Sequence, residues 1–209
     1  MKPRAASLCL LTFCLLTVPA LAQTDLYDNG PTNGTIDAWT INFGFAVSDT
    51  FTLTSNSTLN GLNFAAWLAP GDVLESSEVT ITSSEFGGTL YFDQQVNFAQ
   101  SGCVANQDGF NVCNELGSFS GPAMNSGTYW LTLQNAVVNT GDPVYWDENY
   151  GPSEASNNSV GTLGSESFTI LGSTGSSGSG GGTTPEPGSL VLFGSGVLGV
   201  GAILRRKLL

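Results

Sequence analysis

Histidine is absent from this chain of 209 residues, and the five basic residues lie at its two ends, before residue 5 and after residue 204. Without histidine there is no Ser-His-Asp or Cys-His nucleophile system and no imidazole metal ligand. Without lysine or arginine between Arg4 and Arg205, that stretch has no Schiff-base amine, no phosphate clamp and no positive surface for nucleic acid. We therefore expect no nucleic-acid partner.

All 17 acidic residues lie between Arg4 and Arg205, so the body of the chain is purely acidic. Such a charge favours solubility and repels anionic polymers unless divalent cations bridge the two. The catalytic chemistry left to these residue types is a pair of carboxylates of the glycosidase kind, flanking a sugar in a cleft.

The first 22 residues are predicted to be a secretory signal peptide. Lys2 and Arg4 precede an apolar run over residues 5–18, and Ala-Leu-Ala at 20–22 supplies the small residues of a cleavage site. This order of basic, apolar and small residues is typical of such signals. We expect signal peptidase to process the chain and the exported protein to begin at Gln23.

A second apolar segment, residues 188–204, is predicted to form a single transmembrane helix. A helix of this length spans roughly 25 Å, close to the short limit for a bilayer. Arg205, Arg206 and Lys207 follow it directly, and basic flanks of this kind stay on the cytoplasmic side. The Gly/Ser-rich segment 172–184 before it is predicted to be a flexible linker.

Pro185, Glu186 and Pro187 immediately precede the apolar segment. A Pro-Glu-Pro triplet, a short transmembrane stretch and a terminal basic cluster together resemble the PEP-CTERM protein-sorting signal, here over residues 185–209. The resemblance implies processing by exosortase, a membrane protease with transpeptidase-like character in exopolysaccharide-producing Gram-negative bacteria. It implies an inner-membrane anchor before processing and a place at the cell surface or in the extracellular matrix afterwards.

Residues 23–171 are predicted to form one all-β ectodomain, because apolar residues recur there with a period of two. Turn signals of the Asn-Gly, Pro-Gly and Asp-Gly type separate the runs. This pattern predicts an antiparallel β-sandwich. A jelly roll is the first topology considered, and an immunoglobulin-like Greek key is the alternative. The alternating or strand-like runs are 39–48, 50–54, 62–68, 79–82, 90–92, 96–98, 129–134 and 168–170.

Cys103 and Cys113 are the cysteines left once the signal peptide is removed. In an exported chain, an isolated pair at this spacing is predicted to form one disulfide. It would close a loop that contains Asp108-Gly109 and would constrain a hairpin or a long loop.

Aromatic residues supply one candidate binding surface. Trp67 and Trp130 lie on the opposite register from the apolar residues of their strands, so they face a second surface that is either covered or exposed. If exposed, they would stack on sugar rings, together with Tyr145 and Trp146.

Acidic residues near Tyr145, Trp146 and Tyr150 form a second candidate site. Three interpretations involve function: a calcium site, a sugar-binding platform and a catalytic carboxylate pair; the fourth is a solvated loop. Carboxylates and carbonyls suit a hard cation, but the spacing here is not that of an EF-hand loop. The carboxylates concerned are Asp142, Asp147, Glu148 and Glu154.

These features together predict an exported surface or matrix protein with a structural or adhesive role in association with exopolysaccharide or with other surface proteins. A carbohydrate-binding module that uses exposed aromatic residues is the alternative, and a glycoside hydrolase is a further one. No cofactor is expected apart from calcium.

Overall fold

The computed structural model describes residues 23–175, and every regular element in that part of the chain is a β-strand. This confirms the all-β prediction. The predicted signal peptide, most of the predicted linker and the sorting segment with its transmembrane helix lie outside the described residues. Over residues 23–175 no helix is long and apolar enough to cross a membrane.

Fourteen strands follow one another along the described chain. They are β1 (Thr24–Asp28), β2 (Ala38–Thr40), β3 (Ala46–Leu53), β4 (Ser57–Leu68), β5 (Leu74–Ser84), β6 (Gly87–Ala105), β7 (Asn111–Ser118), β8 (Ala123–Met124), β9 (Gly127–Val138), β10 (Tyr145–Asn149), β11 (Ala155–Asn157), β12 (Gly161–Thr162), β13 (Ser165–Glu166) and β14 (Phe168–Thr174).

Ten of the strands follow one another across one curled antiparallel sheet in the order β1-β14-β4-β7-β6-β5-β9-β3-β11-β12. The short strand β10 pairs with β2, β4 and β13, and β8 pairs with β4. The 19-residue β6 pairs with β5 as far as Asn97 and with β7 from Phe98 onward. It therefore joins a first half of the sheet (β1, β14, β4, β7) to a second half (β5, β9, β3, β11, β12). The choice between jelly roll and Greek key stays a prediction.

Side chains from both halves meet in one hydrophobic core. Phe51 of β3 lies with its ring centroid 6.2 Å from that of Tyr27 on β1, and Phe64 of β4 lies 6.0 Å from Trp146 on β10. Burying an aromatic or branched apolar side chain stabilises a fold by about 1.5–3 kcal/mol. The β-structure that carries this core belongs to one compact unit of the chain, which ends at Gly175.

The alternating run from Trp39 to Val47 is not one strand, contrary to the prediction. It is broken between β2 and β3 by a tight turn in which the backbone N–H of Phe45 donates to the carbonyl of Asn42 at 3.0 Å. Phe43 and Gly44 both have positive φ, 57° and 88°, as in a type I′ turn. The ring of Phe43 is consequently 64% exposed, so its apolar character does not mark a core position.

Cys103 and Cys113 form a disulfide, as predicted. The bond links β6 to β7 across a hairpin in which Val104 pairs with Val112. At the other end of the domain, β14 continues to Thr174, three residues into the segment predicted to be linker. Thr24 at the start of β1 pairs with Gly172 near the end of β14.

Candidate functional site

The segment 29–37, between β1 and β2, lies over the outer face of β4, and we call it the cover loop. The backbone N–H groups of Asn33 and Gly34 each donate to the Asp147 carboxylate at 2.8 Å, and the Trp67 indole N–H donates to the same group at 2.6 Å. Gly34 has a φ of 70°, and a Cβ there would lie 3.3 Å from Val112. Glycine is therefore suited to this close approach.

The cover loop and the strands bury two of the four predicted sugar-stacking residues. Trp67 is 5% exposed and Trp146 is 0% exposed, and the Trp146 indole N–H donates to the Ser167 carbonyl at 2.9 Å. Neither ring presents a face to solvent in this structure, so the exposure on which their stacking on sugars depends is absent for these two residues. Trp130 and Tyr145 are half-buried, and the Tyr145 ring packs 5.4 Å from Phe110.

The four predicted calcium ligands do not come together. Asp142 and Glu154 lie on exposed loops, whereas Asp147 is 0% exposed and holds the cover loop. Glu148, the next residue of β10, points to the opposite face and accepts the Trp39 indole N–H at 2.9 Å. Over residues 23–175 no group of three acidic, cysteine or histidine side chains is placed to hold a metal ion.

A different set of acidic residues is gathered inside the domain, around the side-chain amide of Asn29. Its nitrogen lies within hydrogen-bond distance of four oxygens, on Asp49 (3.2 Å), Ser153 (2.6 Å), Ser165 (2.8 Å) and the Glu166 carbonyl (2.7 Å). The Glu166 backbone N–H donates to the Asp49 carboxylate at 2.8 Å. This network ties the end of β1 to β3 and β13.

Burial has the largest effect on the pKa values of Asp49 and Glu166. Loss of hydration raises the pKa of Asp49 to about 6, although hydrogen bonds to its carboxylate from Ser153, Glu166, Thr50 and Asn29 act in the opposite direction. The pKa of Glu166 is raised well above its ordinary value, first by burial and then by the negative charges of nearby acidic residues. Neither carboxylate oxygen of Glu166 has a hydrogen-bond partner among the described residues. Burial therefore favours the neutral form of Glu166.

Glu115 of β7 is a third buried acid. It is 0% exposed, and neither of its carboxylate oxygens has a partner among the described residues. Loss of hydration raises the pKa of this side chain to about 8. Asp49, Glu115 and Glu166 are each 0% exposed, so a polymeric substrate has no contact with these carboxyl groups.

The sequence pattern contains a signal for two of these buried acids, Asp49 and Glu166. Asp49 lies in the same period-two register as Val47 and Phe51, and Glu166 lies in register with Phe168. A carboxylate in the apolar register of a strand is predicted to point into the core.

Comparison with known proteins gives one result. Residues 183–207 match the family model of the PEP-CTERM protein-sorting motif. The matched segment includes the predicted Pro-Glu-Pro triplet and basic cluster, so the chain carries the sorting motif of an exosortase substrate, which implies export and membrane-associated sorting. No curated protein and no solved structure matches the chain.

Proposed function

We propose that this protein is a structural or adhesive component of the cell surface or extracellular matrix, where its β-domain associates with exopolysaccharide. The observation that carries the proposal is the PEP-CTERM motif at residues 183–207. Signal peptidase and exosortase are the processing partners. The proposed course is anchoring in the inner membrane of a Gram-negative bacterium, followed by release to the surface or matrix.

The arrangement of the carboxylates supports a role without catalysis. A glycosidase needs two carboxyl groups on either side of a sugar in an accessible cleft. Asp49 and Glu166 are fully buried, Asp147 is engaged by the cover loop, and Asp142 and Glu154 lie on exposed loops.

The charge of the domain supports a neutral polymer or a cation-bridged one as the partner. Sixteen of the 17 acidic residues lie in residues 23–175, because only Glu186 falls outside, and this part has no basic residue. An anionic polymer is repelled by such a surface unless a divalent cation lies between the two.

Co-sedimentation tests the proposal. The fragment 23–184 is mixed with exopolysaccharide from the organism that makes this protein, either with calcium or with a chelator. Bound protein and released sugar are then measured. We expect the fragment to sediment with the polymer without releasing sugar. Binding that requires calcium would support cation bridging, and binding in chelator would support direct glycan recognition. Absence of binding in both conditions, or sugar release, would contradict the proposal.

A further inference from the structure

A stretch of β6, Phe92–Asn97, has a strand partner on one side only. It pairs residue by residue with Ser76–Ile81 of β5, without a register shift. The pairing of β6 with β7 begins at Phe98, so β7 does not extend along this stretch. Within residues 23–175, no backbone hydrogen bond from a loop reaches it either. Its second row of backbone N–H and C=O groups therefore forms an open sheet edge in this part of the chain.

The two terminal strands of the sheet carry features that oppose pairing with another chain. β1 has acidic residues at Asp25 and Asp28 and a register shift between Asp25 and Tyr27, and β12 is two residues long. Charges, bulges and short strands all hinder association between sheet edges. The stretch Phe92–Asn97 is longer than either strand and contains neither a bulge nor a proline. Asp93 is its one charged residue, so little in the stretch opposes a second strand.

The side chains of this stretch suit pairing with an identical strand. Phe92 and Val96 belong to the core and are 6% and 3% exposed, whereas Gln94 lies between them in the same register and is exposed. Directly opposite residues of an antiparallel pair share one face of the sheet. With Gln94 opposite its own copy, Phe92 of each strand lies opposite Val96 of the other. In the same register, Asp93 lies opposite Gln95.

This register matches each side chain with a compatible one. A glutamine amide both donates and accepts hydrogen bonds, so Gln94 is complementary to the Gln94 of a second copy. The apolar pair of Phe92 and Val96 continues the inner face from one domain to the next. Asp93 faces an amide and not another carboxylate. A pair centred on Asp93 would instead place two carboxylates opposite each other, which is destabilising.

The negative charge of the domain opposes this association at long range. Repulsion between exposed charges is screened beyond about 8 Å at physiological ionic strength. The backbone hydrogen bonds and the amide contact form at shorter range and are less affected. Association between two copies should therefore strengthen as salt is added, whereas association with a basic peptide would weaken. The salt dependence separates these two kinds of partner.

We propose that the open edge of β6 pairs with the same edge of a second copy of this protein, with Gln94 at the two-fold axis of the contact. The two domains then share one antiparallel sheet across this edge. Strand addition of this kind takes its affinity from the main chain and its register from alternate side chains. The inference goes beyond the proposed function and does not depend on it.

Sedimentation velocity at about 150 mM sodium chloride, where charge is screened, tests this contact. The fragment 23–184 is measured over a roughly hundredfold range of concentration, because dimerisation follows mass action. The variants are Gln94→Glu and Gln94→Lys, alone and mixed in equal amounts. Gln107→Glu and Gln107→Lys are the matched controls, since Gln107 is exposed in the β6–β7 hairpin outside the stretch. Circular dichroism identifies any variant that fails to fold.

We expect the wild type and both Gln107 variants to dimerise. Q94E or Q94K alone should dimerise about tenfold more weakly, because like charges then lie opposite each other and the amide contact is lost. An equal mixture of Q94E and Q94K should dimerise more strongly than either variant alone, because opposite charges then meet at the axis. Amide hydrogen exchange should slow within Phe92–Asn97 of the wild type when the dimer forms.

A wild type that stays monomeric throughout, or a dimer that both Gln94 variants leave unchanged, would overturn the inference. A mixture of Q94E and Q94K that associates as weakly as its components would do the same. Dimerisation that weakens as salt rises would also contradict it. Each of these outcomes leaves the proposed function intact, because co-sedimentation with exopolysaccharide does not require a dimer.

Discussion

At the scale of single residues, the buried carboxyl groups of this domain differ in their hydrogen-bond partners. Asp147 accepts three hydrogen bonds, and two of them hold the cover loop in place. Glu115 and Glu166 have no hydrogen-bond partner for their carboxylate oxygens among the described residues, and burial raises the pKa of both side chains. The described residues contain no basic side chain. Burial and hydrogen bonding are therefore what distinguish the pKa values of these carboxyl groups.

Replacing Asp147 with alanine is predicted to lower the free energy of unfolding by about 3 kcal/mol. The change leaves the N–H groups of Asn33, Gly34 and Trp67 unpaired, and an unpaired buried donor costs about 1–3 kcal/mol. Urea denaturation of the fragment 23–184 measures the loss. Asp142→Ala is the control, because this exposed side chain should change stability by less than about 0.5 kcal/mol. Equal losses in the two variants would contradict the assigned role.

Glu115 is predicted to make stability fall as pH rises. Its pKa is about 8 in the folded domain against an ordinary value of 4.5. Between these values the folded state holds a proton that the unfolded state has released. The free energy of unfolding therefore decreases with pH in this window, by at most about 1.4 kcal/mol per pH unit for one group.

Glu115→Gln should remove this contribution, since glutamine is neutral at every pH. We expect variant and wild type to have similar stability near pH 5 and the variant to be the more stable at pH 8. Denaturation curves at pH 5, 6, 7 and 8 give the difference. The exposed Glu85→Gln is the control and should follow the wild type. A difference between E115Q and wild type that does not change with pH would refute the assignment.

At the residue scale, sequence predicted the disulfide but not the environments of the aromatic residues. An exported chain with two cysteines left has one pairing to make, so Cys103 and Cys113 were assigned correctly. The register of Trp67 showed that it faces away from the core. Whether that face is covered depends on the cover loop, which pairs with Asp147 more than 100 positions along the chain. Such a contact leaves no local pattern.

At the scale of elements, the alternation of apolar and polar residues predicted strands correctly where the run is not interrupted by a turn. The runs that include Leu62, Val79, Leu131 and Phe168 fall in β4, β5, β9 and β14. It failed at the turn between β2 and β3, because Phe43 and Phe45 keep the period of two through a reversal of the chain. Gly44 was the local sign of the turn, and a single glycine in an alternating run also fits a bulge or a weak strand.

Phe43→Asn is predicted to stabilise the domain by about 0.5–1 kcal/mol. Positive φ is costly for a bulky residue and is tolerated by asparagine, and Asn-Gly is the preferred pair in a type I′ turn. Little burial is lost, because the Phe43 ring is 64% exposed. Thermal denaturation measures the shift. Phe45→Asn is the control, since Phe45 is not among the residues with positive φ and is 41% exposed, and it should destabilise. Destabilisation by both changes would contradict the turn assignment.

At the scale of the whole molecule, the domain carries an excess of negative charge, which is predicted to lower its stability. The described residues carry acidic side chains on both halves of the sheet and no compensating base. Mutual repulsion between like charges opposes the compact state. The all-β, antiparallel character followed from the period-two pattern and the turn signals, but the eight predicted runs did not give the fourteen strands. The strand order did not follow from them either, because β1 pairs with β14 and β4 with β7 through contacts distant in sequence.

Raising the sodium chloride concentration from about 10 to about 150 mM is predicted to raise the melting temperature of the fragment 23–184, because the Debye length shortens from roughly 30 to 8 Å and repulsion is screened. Circular dichroism at pH 7 follows the transition. A sucrose solution of the same osmolality is the control for effects that do not depend on charge. A melting temperature that is unchanged or lower in salt would show that repulsion does not limit stability.

The position of β14 has a mechanical consequence. β14 is hydrogen-bonded to β4 along seven residue pairs and to β1 along four. A pull applied at Gly175, where the chain leaves the domain toward the sorting segment, is therefore resisted by two rows of hydrogen bonds. A pull at Gln23 is resisted by the single row between β1 and β14. The end of the domain that continues toward the sorting motif is therefore hydrogen-bonded on both sides, whereas the end at Gln23 is hydrogen-bonded on one side only.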